Sequence, residues 1–305
     1  MTSLPLTPRT LARAVLAGRL ASAAVQAPRV LARAVTMQIM GDGVGPESEP
    51  EPEPWTPADL ATAPSVWLDA AATDSLTLAG SDVTAWADLG STATTFTQGG
   101  INGGTAPAYA VAGLNGRPTL DFDGTSERVS SGASVATIMG TSDFAVFAVG
   151  CIDSSATNDA FGYLNEGLWG DREGWVGLYA RSSPPVVGAY VFDTGNRVAQ
   201  AAYAFGTAAL FHHEISGGFV RLRVDGGAEV SAATTGIGGG TSQPITIGRM
   251  SVGDQHSLDG AVSEFLIIKP APDADTRQML EGYLAHKWGL AASLPPDHPW
   301  KAAAP

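Results

Sequence analysis

Short apolar runs separated by turn residues occupy the chain from residue 58 to residue 269. Runs of β-branched and aromatic residues bounded by Gly, Asn, Asp or Ser are typical of strands. Val-Asp-Gly-Gly at 224–227 is typical of a tight hairpin turn. Because no helical period interrupts these runs, the pattern predicts an all-β sandwich. The predicted strands are Val66–Asp69, Val83–Ala87, Thr119–Asp123, Phe144–Ile152, Gly174–Ala180, Val186–Phe192, Ala208–Ile215, Phe219–Val224, Ile245–Gly248 and Ala261–Ile268.

One amphipathic helix is predicted after the last strand, over residues 272–290. Asp273 or Asp275 can cap its first turn, since a carboxylate accepts the free amide hydrogens there. Arg277 and Glu281 are spaced as an i,i+4 ion pair, which stabilises a helix by roughly 0.3 kcal/mol. The apolar stripe of this helix consists of Leu280, Tyr283, Leu284 and Trp288.

A nine-residue motif occurs twice near the N-terminus, at 7–15 and 27–35, with seven of nine positions identical. Each copy begins beside a Pro, which suits the first position of a helix, and continues with Ala, Leu and Arg. The pattern predicts two short helices, over about 8–25 and 28–37. Their candidate docking residues are Leu11, Arg13, Val15, Leu31, Arg33 and Val35.

Three interpretations of residues 1–40 stay open. Two similar helices suit docking onto a partner or between protomers. The acid-free, Arg-rich composition also fits an organellar targeting peptide, and a merely solvated tail is the third option. A secretory signal does not fit, because Arg13 and Arg19 interrupt the apolar stretch it would need.

Alternating Glu and Pro follow this segment, within residues 41–57. Such a stretch cannot build a core and is expected to run as an extended spacer. The chain therefore divides into a helical docking segment (1–40), a linker (41–57) and a β-sandwich with its C-terminal helix (58–305).

Charge is distributed unevenly within the overall net charge of −13. Residues 1–41 carry five Arg and no acid, whereas residues 42–305 carry 12 basic and 30 acidic side chains, a net charge of −18. An acidic body repels nucleic acid and anionic lipid, so neither is an expected partner. The single cysteine, Cys151, excludes an intrachain disulfide and is expected to be an inert core thiol. No apolar stretch reaches the ~18 residues of a membrane span.

No catalytic motif is present in the sequence. The Glu-x-Asp-x-x-Glu strand of sandwich glucanases and the Gly-x-Ser-x-Gly turn of hydrolases do not occur. The acidic residues Glu166, Asp171 and Glu173 are spaced among glycines, which predicts a loop. His212 and His213 lie in a predicted strand and should point to opposite faces as surface or packing residues.

Four stretches together resemble a known family. They are 66–88 (beginning Val-Trp-Leu-Asp-Ala), 114–124 (Leu-Asn-Gly-Arg-Pro-Thr-Leu-Asp-Phe-Asp-Gly), 259–268, and 282–300 with its Pro-Pro-Asp-His-Pro-Trp end. The body, 58–305, resembles the concanavalin A-like lectin/glucanase jelly roll of laminin-G-like type found in bacteriophage tail, fibre and virion surface proteins. The resemblance implies two antiparallel sheets, one of them concave, with sugars bound on the concave face or at loops along one rim.

The resemblance also bears on metals and sugars. Laminin-G-like relatives often hold one calcium through loop carboxylates, for which the candidates are Asp171, Asp193 and Asp254; no other cofactor is expected. Aromatic residues concentrate between 161 and 192, and rings stack on sugar C–H faces. Trp169, in a Gly-rich predicted loop, is the leading glycan-binding candidate, together with Asn165, Asp171, Arg172 and Trp175. The aromatic residues assigned to the core are Trp67, Trp86, Phe122, Phe144, Phe147, Phe265 and Trp288.

These observations favour a virion-associated surface protein of the tail, fibre or head. Residues 1–40 would dock onto other virion proteins, with a homo-oligomer as an open alternative, and the jelly roll would bind host-surface polysaccharide without catalysis. Two other functions stay open: a structural decoration protein that binds no sugar, and a glycan-degrading enzyme. A bacterial extracellular origin is the alternative to the virion surface.

Overall fold

The computed structural model describes residues 54–99, 104–153, 166–171, 176–182, 184–239, 241–248 and 257–305. The predicted docking segment, 1–40, lies outside these residues, as does most of the linker. Only the backbone is described at 166–171 and at Ser182.

The described residues form seventeen strands and two helices, joined by turns and loops. Short 3-10 turns at Pro57–Asp59, Thr73–Ser75 and Ala291–Ser293 connect some of them. The elements are β1 (Val66–Asp69), β2 (Leu76–Ala79), β3 (Asp82–Ala87), β4 (Thr95–Gln98), β5 (Ala108–Leu114), β6 (Arg117–Asp123), β7 (Val129–Ser134), α1 (Val135–Ile138), β8 (Phe144–Ile152), β9 (Glu166–Asp171), β10 (Val176–Ser182), β11 (Pro185–Phe192), β12 (Asn196–Ala202), β13 (Ala208–Ser216), β14 (Phe219–Val224), β15 (Val230–Ala233), β16 (Pro244–Ile247), β17 (Asp259–Ile268) and α2 (Ala274–Lys287).

Strand pairing divides these strands into two antiparallel sheets. The first sheet runs β5–β6–β17–β8–β13–β14–β15, with β1 beside the second half of β17. The second sheet runs β2–β3–β4–β7–β16–β9–β10–β11–β12. One residue pair, Asp82 with Ala108, links the two sheets through β3 and β5. The structure confirms the predicted all-β sandwich with its C-terminal helix, α2. The other described helix, α1, is a single turn between β7 and β8.

All ten predicted strands are present, with bounds that differ by a few residues at most. The hairpin turn at 224–227 is also confirmed: Asp225 and Gly226 both have positive φ (52° and 66°), as a type I′ turn requires. Several of the strands absent from the sequence prediction are rich in Ala, Gly and Ser, such as Val-Ser-Ser-Gly-Ala-Ser in β7. These residues have little strand preference, and pairing with neighbouring strands holds them extended. The strands that the sequence prediction omits are β2, β4, β5, β7, β9, β12 and β15.

The middle of the first sheet is buried on both faces. Every residue of β8 is buried, so both faces of this strand are covered, and the apolar side chains of α2 belong to the same core cluster. Of the predicted core aromatics, all are buried except Trp67, which is half-buried and packs against the core. Packing also extends into the predicted linker, since Trp55 meets Tyr283 edge-on with ring centroids 5.8 Å apart.

The C-terminal helix begins as predicted. The Asp273 carboxylate accepts the amide hydrogen of Thr276 at 2.8 Å, and this bond lowers the pKa of Asp273. The helix ends at Lys287, and Gly289 follows with φ +72°. No helix in the described part of the chain combines the length and apolar composition needed to cross a membrane.

A fully buried carboxylate fixes α2 to the first sheet. Glu264, on β17, accepts hydrogen bonds from the indole nitrogens of Trp67 on β1 (2.7 Å) and Trp288 at the end of α2 (2.5 Å). The Lys287 ammonium lies 2.8 Å from Glu264 and 2.6 Å from Asp69. Burial raises the pKa of Glu264, and Lys287 opposes that rise. Donors from two separate elements, β1 and α2, therefore surround this buried carboxylate.

Replacing Lys287→Met should show how much this pair stabilises the fold. The variant keeps the apolar stem and leaves Glu264 buried without its cation, so the free energy of unfolding should fall by about 3–5 kcal/mol at pH 7. The loss should be smaller at pH 5, because folded Glu264 with a raised pKa takes up a proton before the unfolded chain does. Urea unfolding at both pH values measures this.

The control is Lys269→Met, at an exposed lysine, which should change the free energy of unfolding by less than about 0.5 kcal/mol. Equal effects of the two variants would contradict the role assigned to Lys287.

Candidate functional site

The predicted glycan-binding loop is a strand where the structure describes it. Glu166–Asp171 form β9, so the loop prediction for Glu166, Trp169 and Asp171 is wrong. β9 is held between β10 and β16, where Trp169 stands opposite Leu178 and Ile247, both fully buried. The backbone register thus places position 169 in line with core positions. Asn165, Arg172 and Trp175 lie outside the described residues, so their predicted role stays a prediction.

Tyrosines from the same aromatic-rich region form a hydrophobic cluster separate from the main core. Tyr179 on β10 and Tyr190 on β11 are buried together, with Phe192 and Val198 packed against them. Their strand neighbours, such as Leu178, belong to the main core. Because side chains alternate across a strand, the cluster lies on the face of the second sheet that points away from the sandwich interior. This surface, called here the aromatic face, consists of Tyr179, Tyr190, Phe192, Asn196, Val198 and Gln200.

A glycine makes room for one of these rings. Gly188 on β11 stands opposite Tyr179 in the strand register. A Cβ atom at Gly188 would lie 2.4 Å from Cε1 of Tyr179, so the ring lies directly over the glycine backbone. Gly177 stands opposite Tyr190 in the same way. Glycine at position 188 therefore determines where the Tyr179 ring packs against the sheet.

The edge of the aromatic face is polar. Gln200 donates its amide hydrogen to the hydroxyl of Tyr179, and the Tyr190 hydroxyl donates to Asn196 Oδ1 at 3.1 Å. Burial raises the pKa of Tyr179, so its hydroxyl stays neutral at physiological pH. Asn196 and Gln200 are exposed and Phe192 is half-buried. The arrangement offers a ring edge for apolar contact beside amides that donate and accept hydrogen bonds.

A cavity of about 430 Å³ opens on the first sheet, where β6, β8 and β17 lie side by side. It contains the carboxylates of Asp121 and Asp153 together with the Cys151 thiol. The thiol donates to Asp153 at 2.9 Å, and burial raises its pKa to about 12. Cys151 is therefore a buried, protonated thiol, in agreement with the prediction of an inert cysteine.

The carboxylate of Asp193, a predicted calcium ligand, is hydrogen-bonded to other residues of the protein. One carboxylate oxygen accepts from Gly195 (3.2 Å) and Arg197 (3.0 Å), and the other accepts from the backbone amide of Thr235 (3.0 Å). The Thr235 bond is the main cause of a strongly lowered Asp193 pKa. Asp193 thus joins the β11–β12 turn to the segment after β15.

Asp254 and the side chain of Asp171 are not described, so the calcium expectation stays a prediction. Among the described residues, no group of three or more His, Cys, Asp or Glu side chains is placed to hold a metal ion.

The adjacent histidines are packing residues on opposite faces of β13, as predicted. His212 stacks on Phe147 with ring centroids 4.6 Å apart, while His213 lies 6.4 Å from Phe144. Both are fully buried. Burial lowers the pKa of His212 well below its usual value and that of His213 to about 3. Both rings are therefore neutral at pH 7.

Comparison with known proteins gives remote structural likenesses. No protein-family model matches the sequence, and no curated protein matches it. Domain 4 of AbnA, a GH43 extracellular arabinanase from Geobacillus stearothermophilus solved with arabinotriose, aligns over 67% of this chain and 91% of its own, at 12% identity and a TM-score of 0.44. Trypanosoma rangeli sialidase in complex with sialic acid aligns over 73% of this chain, at 13% identity and a TM-score of 0.47. The alignment spans 33% of the sialidase.

Gly188→Ala tests the packing of Tyr179. The added methyl group would overlap the ring, so the free energy of unfolding should fall by about 1–3 kcal/mol in urea unfolding. Gly195→Ala is the matched control, since its Cβ would meet no atom within 4 Å. If both variants are equally stable, the ring does not lie where the structure places it.

The buried histidines predict a pH dependence of stability. Their folded pKa values are lowered, so below about pH 6.5 the unfolded chain binds more protons than the folded one. Each histidine should then reduce the free energy of unfolding by about 1.4 kcal/mol per pH unit as the pH falls. His213→Leu should flatten the slope between pH 6 and pH 4 by that amount, measured by urea unfolding. An unchanged slope would show that His213 titrates normally.

Proposed function

We propose that the β-sandwich binds a host-surface glycan through the aromatic face, without catalysis. The observation that carries this proposal is a second cluster of aromatic side chains on the outside of a sheet, edged by exposed amides. Tyr179 and Tyr190 are themselves buried on this outer face, so the part that a ligand can contact consists of half-buried Phe192 and the exposed amides Asn196 and Gln200.

The face suits a sugar chain lying along the edge of the two buried tyrosines. Phe192 provides apolar contact for a C–H face of a pyranose ring, while Asn196 and Gln200 bond to hydroxyl groups. Tyr179 and Tyr190 hold the two amides in place through their hydroxyls. A preordered surface of this kind loses little side-chain entropy when it binds.

The biological setting belongs to the same proposal. The resemblance of residues 58–305 to virion surface modules favours a phage tail, fibre or head protein. Residues 1–40 would attach it to other virion proteins, and the Glu-Pro linker would hold the sandwich away from the particle. Many copies on one particle would raise avidity, so each site can be weak.

Binding of the fluorescent full-length chain to intact candidate host cells, with and without competing surface polysaccharide, tests the function. The unaltered chain should bind these cells, and the added polysaccharide should compete with that binding. Phe192→Ala and Gln200→Ala should each weaken binding about tenfold, equivalent to about 1.4 kcal/mol.

Phe219→Ala is the matched control, because Phe219 is a partly exposed phenylalanine on the first sheet, beside Arg221. It should leave binding unchanged. Absence of competed binding, even with a multimerised chain, would overturn glycan recognition. Equal losses in Phe192→Ala and Phe219→Ala would overturn the assignment to the aromatic face.

A further inference from the structure

The cavity that contains Asp121 and Asp153 lies on the outer face of the first sheet. Part of its floor is one register row across four adjacent strands, consisting of Asp121 on β6, Ala261 on β17, Cys151 on β8 and Ala208 on β13. Glu264 stands on the same side of the sheet, because its register partner Val149 is two residues from Cys151. Since Glu264 bonds to the end of α2, the cavity opens on the face that carries this helix.

Small residues leave room between the two carboxylates. Ala261 and Cys151 follow Asp121 in the register row, and Gly206 and Gly260 also line the cavity. Its volume of about 430 Å³ is in the range of small-molecule sites. The carboxylates come from the two strands on either side of β17, about 10 Å apart at the backbone, so they can approach one ligand from opposite sides. This site is called here the acidic cavity.

The charge of the acidic cavity is negative and has no cation to balance it. No Lys, Arg or His side chain of the described residues lines it. Asp121 accepts from the Thr119 hydroxyl at 2.5 Å, and Asp153 accepts from the Cys151 thiol at 2.9 Å, so both described partners are neutral. Burial is the main cause of the raised Cys151 pKa, and the charges of Asp153 and Asp259 raise it further. The potential here therefore favours a positive group.

The end of helix α2 favours a cation independently of these carboxylates. Asn115, which lines the cavity, donates its amide hydrogen to the carbonyl oxygen of Trp288 at 2.9 Å. The C-terminal end of the helix, with its partial negative charge, therefore lies at the cavity edge. The Oδ1 atom of Asn115 makes no hydrogen bond within the described part of the chain, which leaves it available to a ligand hydroxyl.

We propose that the acidic cavity binds a sugar unit with a free ammonium group, a hexosamine that lacks an acetyl group. The ammonium would donate to Asp121 and Asp153, while Asn115 would accept from a ring hydroxyl. The floor of small residues would lie against the ring. The inference rests on the proposed function only in taking a glycan unit as the ligand; the aromatic face takes no part in it.

Calorimetric titration of the full-length chain at pH 6, where the amine of the sugar is protonated, tests this site. The probes are glucosamine, N-acetylglucosamine, glucose and propylamine. Glucosamine should bind at least tenfold more tightly than each of the others, because it alone combines an ammonium group with ring hydroxyls. Added salt should weaken its binding, since the carboxylates at this open cavity are screened.

Asp121→Asn and Asp153→Asn each remove one carboxylate at nearly constant shape, and each should weaken glucosamine binding at least tenfold. Asp74→Asn is the matched control at an exposed aspartate that does not line the cavity, and it should leave this affinity unchanged. Unchanged affinity in both cavity variants would overturn the site. Equal binding of glucose would overturn the role of the ammonium, and equal binding of propylamine would overturn recognition of a sugar.

Phe192→Ala separates the acidic cavity from the aromatic face, because it should leave glucosamine affinity unchanged. An equal loss of glucosamine affinity in Phe192→Ala and Asp153→Asn would overturn the separate site. Glucosamine binding by a chain that shows no competed cell binding would support the acidic cavity while overturning the proposed function.

Discussion

Glu264 lies fully buried between the first sheet and helix α2, and its charge requires donors that distant parts of the chain must bring together. Trp67 comes from the first strand, and Lys287 and Trp288 come from the end of the last helix. A buried carboxylate is tolerated only when such partners are in place, because desolvation otherwise removes its charge. The two ends of the body are thereby joined at one point, and α2 is held over the outside of the first sheet.

That arrangement determines which surfaces are available for binding. With α2 and the tail covering one sheet, the outer face of the second sheet carries the aromatic cluster of Tyr179 and Tyr190 instead. Along α2, a second buried carboxylate, Glu281, bonds to Arg277 and His298 and so joins the helix to the C-terminal tail. In the aromatic face, the hydroxyls of Tyr179 and Tyr190 bond to Gln200 and Asn196 and so hold the two amides in place.

Sequence patterns predicted the central strands of the sandwich better than the strands near the candidate site. The apolar run of β8 was predicted residue for residue, because a strand buried on both faces is a continuous hydrophobic signal. β9 was predicted as a loop because its glycines resemble turn residues, whereas pairing with β10 and β16 holds it extended. The same glycines make Trp169 the leading glycan-binding candidate, whereas no pattern in the sequence marks Tyr179 and Tyr190 as lying on an outer face.

The sequence by itself determined the all-β class, the hairpin turn at Asp225, the capped C-terminal helix and the acidic body, since each follows from local residue preference or composition. Only the tertiary structure decided which face of a strand is outside, and whether a charged residue is buried. Glu264 and Glu281 look like ordinary strand and helix acids until distant elements surround them. Periodicity records alternation along a strand, but which of its two faces meets the other sheet depends on packing between elements far apart in the chain.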